Sequence, residues 1–274
     1  MEWLRRAAVA GEWYPGKPAG LAAAVDRYIA DARPDPLPPL RAIVAPHAGL
    51  MYSGPVAAFS YKAAQKTAYR TIVMIGPSHF VPFRGVSIWP EGEWETPFRR
   101  VRVDQELAAG ITAAAPAIVV DRPDAHGREH SLELQLPFVA HLWPGVEIVP
   151  LVMGQQTRDT AFAIGEAIAV AVAARPGDVL LVASSDLSHY EDAPTAAVMD
   201  AVVMRHVQAL DPEGLMSALE REPRHACGGG PIVSVLQASR RLGATQARLL
   251  QYADSGDVSG DKSSVVGYMA AALW

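Results

Sequence analysis

Four short apolar runs recur along the chain, at residues 41–45, 71–75, 146–152 and 178–183, each closed by a polar turn. Their β-branched, breaker-bounded character predicts strands buried on both faces. Helical patterns lie between them. Residues 18–32 predict a first helix, and the proline-dense stretch 33–39 a connector, since proline at that density cannot sit inside a helix. Residues 55–68 are alanine-rich. Residues 131–142 put Leu132, Leu136 and Val139 on one side, and residues 160–174 space Ile164, Ile168 and Val172 four apart. Strands alternating with helices predict an α/β fold of three layers, with a mostly parallel, mixed central sheet and helices on both faces. Residues 246–253 and 264–273 predict two further strands around the turn 255–261. Pieces at 86–89, 99–103 and 118–120 predict a side hairpin. No linker and no repeat of 20 to 50 residues divides the chain, so residues 1–274 are read as one domain.

Composition narrows the function. Of 274 residues, half are hydrophobic and 19% are charged, which is globular rather than disordered. The net charge of −5 argues against a nucleic-acid platform, which needs a basic face. The most hydrophobic stretch, 161–174, is broken by Glu166 and is too short to span a bilayer, so no membrane partner is expected. One cysteine, Cys227, excludes an intramolecular disulfide framework and an all-thiolate metal site, and points to the cytoplasm. No heptad or apolar stripe announces an oligomer.

The candidate chemistry lies where strands end. In open α/β sheets, ligands bind outside the carboxyl ends of the strands. Three of the four clear strands run into a turn bearing histidine: His47, His79, and Asp186 with His189. Any one of these is most simply a histidine satisfied by a backbone carbonyl. Three at one sheet edge point to a shared site, and neutral imidazole is a common metal ligand. Cys227 precedes three glycines and Pro231, a tight turn into a helix; it reads either as buried filler or as a thiolate activated by the helix N-terminus. Glu129 and His130 precede a helix and read equally as end caps or as site residues. Trp13 and Tyr14 read as packing or as walls of the site. His126, His141 and His206 carry no such context.

Seven ordered blocks resemble the Memo-like proteins: residues 9–15 (VAGEWYP), 45–58 (APHAGLMYSGPVAA), 76–85 (GPSHFVPFRG), 129–138 (EHSLELQLPF), 184–190 (SSDLSHY), 226–232 (ACGGGPI) and 255–268 (SGDVSGDKSSVVGY). They cover nearly the whole chain. The resemblance implies the fold of the class III extradiol dioxygenases and a metal cleft. It implies that His47, His79 and Cys227 bind the metal, and that His189 is catalytic with Asp186 beside it. Glu129, His130, Trp13 and Tyr14 remain as supporting or substrate-facing residues. Two departures stand out. Phe80 occupies a position where many relatives carry a second histidine, which removes a ligand. Gly229 replaces a larger side chain, which predicts a more open cleft.

A dioxygenase site holds Fe(II) with two histidines and a carboxylate. Here a thiolate would take the third place, and sulfur favours copper or zinc while tolerating iron. The first expectation is therefore iron- or copper-dependent redox or oxygenase-type chemistry on a small molecule. Zinc-dependent hydrolysis with His189 as base is the alternative. A third reading is a non-catalytic module that keeps the cleft and binds a peptide, because a eukaryotic relative is described as a signalling adaptor.

Overall fold

The computed structural model describes residues 3–175 and 177–274. The strands are β1 (Leu4–Arg5), β2 (Ala42–Ala45), β3 (Thr71–Pro77), β4 (Val86–Ile88), β5 (Glu93–Glu95), β6 (Arg100–Arg102), β7 (Val119–Val120), β8 (Glu147–Met153), β9 (Val179–Ser184), β10 (His189–Glu191), β11 (Ala247–Asp254) and β12 (Val265–Leu273). The helices are α1 (Pro18–Asp31), α2 (Leu50–Ala64), α3 (Gln105–Ala114), α4 (Asp124–Gly127), α5 (Leu136–Leu142), α6 (Arg158–Val172), α7 (Ala193–Gln208), α8 (Pro212–Arg221), α9 (Gly229–Arg241) and α10 (Gly256–Ser259).

The main sheet runs β10-β12-β2-β9-β3-β8-β4-β7, with β11 also paired to β12. Strands β2, β9, β3 and β8 are mutually parallel, while β12 and β4 flank them antiparallel. Alternation along the central strands serves two cores. Val73, Ile75, Leu181 and Ala183 face α3 and the α6–α9 layer, whereas Ile72, Met74, Leu180 and Val182 face α1, α2 and α5. A strand buried on both faces gains on both, at roughly 1.5–3 kcal/mol for each fully buried Val, Leu or Ile. That is why these strands read as continuous apolar runs. The fold is thus the three-layer α/β arrangement that the pattern predicts, and it is consistent with the extradiol dioxygenase-like class.

Three local expectations are corrected. Helix α2 begins at Leu50, not at residue 55, because Gly49 already turns the chain into it; Pro55 sits inside and costs one ladder bond. The segment 131–142 opens as a 3-10 turn, Glu133–Gln135, before α5, although Leu132, Leu136 and Val139 are all buried. Of the pieces expected in a side hairpin, only β6 forms one, with β5; β1 completes that small sheet. Strands β4 and β7 extend the main sheet instead, since Val86 and Ile88 gain full burial there. No helix among the described residues is long and apolar enough to cross a membrane.

Candidate metal centre

The parallel strands β2, β9 and β3 deliver three loops to one edge of the sheet. His47 follows β2, Asp186 follows β9 and His79 follows β3. A fourth loop, between α4 and the 3-10 turn, brings Glu129 and His130, and the turn before α9 brings Cys227. These side chains meet in a cleft of about 630 Å³, walled by Trp13, Met51, Tyr52, Tyr190 and Val266.

His47 is buried, and its tautomer follows from its neighbours. Ser184 Oγ gives its proton to the Ser131 carbonyl at 2.6 Å and accepts from Gln135 Nε2 at 2.7 Å. His47 Nδ1, 2.9 Å from the same oxygen, must therefore donate to it. The Nε2 lone pair is left facing the cleft. Tyr61 donates to Gln135 Oε1 at 2.7 Å, so a buried chain Tyr61–Gln135–Ser184 orients the ring.

His79 is fixed by Glu129, whose carboxylate accepts the His79 backbone N–H at 2.6 Å and Nδ1–H at 2.9 Å. It also accepts the Ser131 N–H at 2.8 Å. Burial opposes ionisation of Glu129, but these hydrogen bonds prevail and hold its pKa at about 2. The pair is a carboxylate–histidine unit with Nε2 free, the arrangement that orients metal-binding imidazoles.

His130 lies stacked on His79, with centroids 4.5 Å apart, and edge-on to His47 at 5.6 Å. Its Nδ1 is buried without a hydrogen-bond partner; the nearest carboxylate oxygen, of Glu129, is 3.5 Å away. Burial and the neighbouring His47 lower the pKa of His130 to about 4. Burial likewise holds His47 well below the usual histidine value, so both rings offer lone pairs at neutral pH. One ligand nitrogen from each of His47, His79 and His130 lies within 4.8 Å of the other two. The sequence placed His130 at the site's margin; the structure brings it into this group.

Cys227 Sγ is 3.2 Å from His47 Nε2 and receives the Asp186 N–H at 3.3 Å. Burial raises its pKa, with Asp186 adding to the effect, so its proton is held unless a cation displaces it. Asp186 is buried, accepts the His47 N–H at 2.7 Å and the Ala48 N–H at 3.3 Å, and has its pKa raised by burial. His189 Nδ1–H donates to the Leu187 carbonyl at 2.8 Å, which leaves its Nε2 free on the cleft wall. Tyr190, at the mouth, has a left-handed φ of 64° and is strongly exposed, a strain that holds its ring beside the opening.

Other residues fall differently. Trp13 walls the cleft and packs tilted against His130, with centroids 4.3 Å apart, but Tyr14 is buried behind it and donates to Glu133 at 2.6 Å. Phe80 sits partly exposed at the rim, edge-on to His130. Gly229 does not widen the main cleft: it lies beyond Cys227, where a Cβ would meet Leu219 Cδ1 at 2.6 Å. Ser184 and Gln135 escape sequence reasoning, because nothing in their spacing shows that they reach His47. His141 and His206 pair with Asp26 and Asp211. His126 is boxed by Trp89 and Trp94.

The donor set fits a metal. With metal–nitrogen and metal–sulfur bonds of about 2.05 and 2.3 Å, tetrahedral ligands stand about 3.3–3.6 Å apart. The observed separation of Cys227 Sγ and His47 Nε2 is close to that, and one nitrogen each of His79 and His130 lies within 4.8 Å of one from His47.

Comparisons with known proteins find relatives along nearly the whole chain. A MEMO1 family protein of Methanothermobacter thermautotrophicus is 38% identical over 97% of this chain and 98% of its own. Family members of Sulfolobus acidocaldarius and Thermotoga maritima are each 38% identical, covering 97% and 98% of this chain and 98% and 99% of their own. The crystal structure of an uncharacterized Escherichia coli K12 protein superposes with a TM-score of 0.55 at 17% identity, over 85% of this chain and 99% of that one, a likeness of fold. The family model described as Memo-like protein matches residues 5–272, and with relatives this similar end to end, the chain belongs to the Memo-like family.

Proposed function

We propose that the chain acts as one domain that holds a redox-active metal, iron or copper, and carries out oxygenase-type chemistry on a small molecule in the cleft. The observation that carries the reading is the convergence of one nitrogen from each of His47, His79 and His130 at the carboxyl edge of the sheet. His47 and His79 would be the principal ligands, with Cys227 and His130 completing the set. When bound, such a metal supplies Lewis acidity and electron transfer at its open positions.

The chain's own residues divide the remaining work. Glu129 and Ser184 hold His79 and His47 by their Nδ1 protons and keep both Nε2 lone pairs on the cleft side. Asp186 ties the His47 loop to the β9 loop through the His47 and Ala48 N–H groups. His189, anchored by Leu187, presents a free Nε2 that can take a proton from a bound substrate and return it. Trp13, Met51 and Tyr190 give one side of the cleft an apolar wall.

A second reading rests on the sulfur donor. A thiolate beside imidazoles suits zinc as well as copper, and His189 would then serve a zinc-dependent hydrolase as general base. Metal analysis of protein prepared under reducing conditions separates the readings. Iron or copper near one equivalent, lost in His47→Ala and in Cys227→Ala, is the expected result. Stoichiometric zinc with ester or amide turnover that disappears in His189→Ala would replace the redox reading. Retention unchanged in both ligand variants would remove any metal reading.

A further inference from the structure

The N-terminal arm, residues 5–14, touches both sides of the cleft. On one side the Trp13 carbonyl accepts the Leu50 N–H at 2.8 Å, at the start of the helix that follows His47. On the other, the Trp13 ring packs at a tilt against the His130 ring. The arm is therefore in contact with the segments carrying two of the three converging imidazoles.

A buried ion pair fixes this arm. Arg5 and Glu133 are both inaccessible to solvent and bonded through Arg5 Nη1 and Glu133 Oε2. Glu133 further accepts the Ala8 N–H at 2.8 Å, the Val9 N–H at 3.0 Å and the Tyr14 hydroxyl at 2.6 Å. Arg5 spends its other donors on the backbone beside the site. Its Nε reaches the His126 carbonyl at 3.1 Å and its Nη2 the Glu129 carbonyl at 2.6 Å, while the guanidinium lies over Trp94 at 4.7 Å. Residues 128–132, between α4 and the 3-10 turn, belong to no helix or strand. Their position is set by these bonds, by those of Glu129 and by those of Ser131 to Pro77 and Ser184. Apolar residues of equal volume would stabilise a core at least as well as a buried ion pair. What they would not supply is directional bonds to the His126 carbonyl near the end of α4 and to the Glu129 carbonyl in the loop that carries Glu129 and His130. Arg5, Tyr14 and Glu133 do not line the cleft, so any effect they have on it is indirect.

We propose that Arg5, Glu133 and Tyr14 are positioning residues of the metal centre, acting as a strut that sets Glu129 and His130 relative to His47 through the N-terminal arm. The inference rests on the metal reading above and adds the groups that place its ligands.

The test is Co(II) binding by the full chain in competition with a chelator, read with the Co(II) ligand-field spectrum, for wild type, Glu133→Gln and Tyr14→Phe. Ile168→Ala, a core truncation in α6, serves as the control for lost stability. Outer-shell partners of metal ligands are typically worth about 10–100-fold in affinity. Glu133→Gln is expected to weaken Co(II) binding within that range and Tyr14→Phe by about 10-fold, both with altered spectra, while Ile168→Ala binds as wild type. Where Glu133→Gln fails to fold, Tyr14→Phe decides. Unchanged affinity and spectrum in the folded variants overturn the proposal, as does an equal loss in Ile168→Ala. Absence of Co(II) binding by wild type would instead overturn the metal reading. The strut is then judged on the His130 ring-proton shifts, which the adjacent indole moves: a change in Tyr14→Phe supports it and none overturns it.

Discussion

The two ends of the central strands carry cavities of nearly equal size and opposite chemistry. At the carboxyl edge the cleft of about 630 Å³ presents converging imidazole nitrogens, a thiol and an apolar wall, and His130 Nδ1 lies buried there without a hydrogen-bond partner. At the amino edge a cavity of about 680 Å³ is lined by Arg102, Asp104, Glu106, Glu147 and Arg175. There these five charges are spent on one another, with Arg70 and Asp178 also on the wall. Arg175 bridges Asp104 at 2.5 Å and Glu106 at 2.8 Å, and Arg102 meets Glu147 at 3.0 Å. Asp104 also accepts the Thr71 hydroxyl at 2.6 Å and caps α3 through the Leu107 N–H at 2.9 Å. Cavity volume therefore does not separate the two regions. Unused bonding capacity does: ligands bind where polar atoms are oriented but left without a partner.

The comparison is most sharply broken at Glu129. Glu129→Gln keeps an acceptor for the His79 N–H but removes the charge that orients the imidazole. It is expected to weaken metal affinity by about 10–100-fold while the fold persists, measured by chelator competition. Unchanged affinity would mean that His79 is held for structural reasons only, like the groups of the amino edge.

The next effect should fall on stability alone. Asp104→Ala removes a helix cap and an ion-pair partner and leaves Arg175 short of a carboxylate. It is expected to cost about 2–3 kcal/mol in denaturant unfolding and to leave metal affinity untouched. Weaker metal binding in this variant would show that the two edges are coupled through the strands.

A third effect, confined to acid pH, concerns a core histidine outside the cleft. Burial first, then the nearby Arg5, lowers the pKa of His126 to about 3. The unfolded chain therefore binds a proton there that the folded chain refuses, between about pH 6.5 and 3. Stability from this group is complete above the unfolded value and declines as pH falls, by roughly 1.4 kcal/mol per pH unit. His126→Gln should flatten part of the fall in Tm between pH 6.5 and 4. An unchanged slope would place the acid sensitivity elsewhere.

Much of this architecture is legible in the chain. The buried parallel strands announce themselves, because residues such as Val73 and Met74 face two cores and leave no polar alternation. The histidines after β2 and β3 are equally visible, since breakers place them where strands stop. Less visible are groups whose partners are remote in sequence. Gln135 reads as one polar residue in an apolar helix start, yet it holds Ser184 and, through it, His47. Glu133 reads as a helix-start acid, yet it anchors an arm more than one hundred residues away in sequence. Sequence periodicity reports which face a residue occupies. It does not report which distant loop comes to meet it.

The central claim is that His47 and His79, supported by His130 and Cys227, hold one metal at the carboxyl edge. A crystal structure of protein loaded anaerobically, with anomalous scattering recorded at the iron, copper and zinc edges, tests it most directly. The expected result is one anomalous peak about 2.0–2.3 Å from the Nε2 atoms of His47 and His79, showing an iron or copper edge. A fully loaded protein whose peak lies outside the cleft, away from both histidines, would contradict the account.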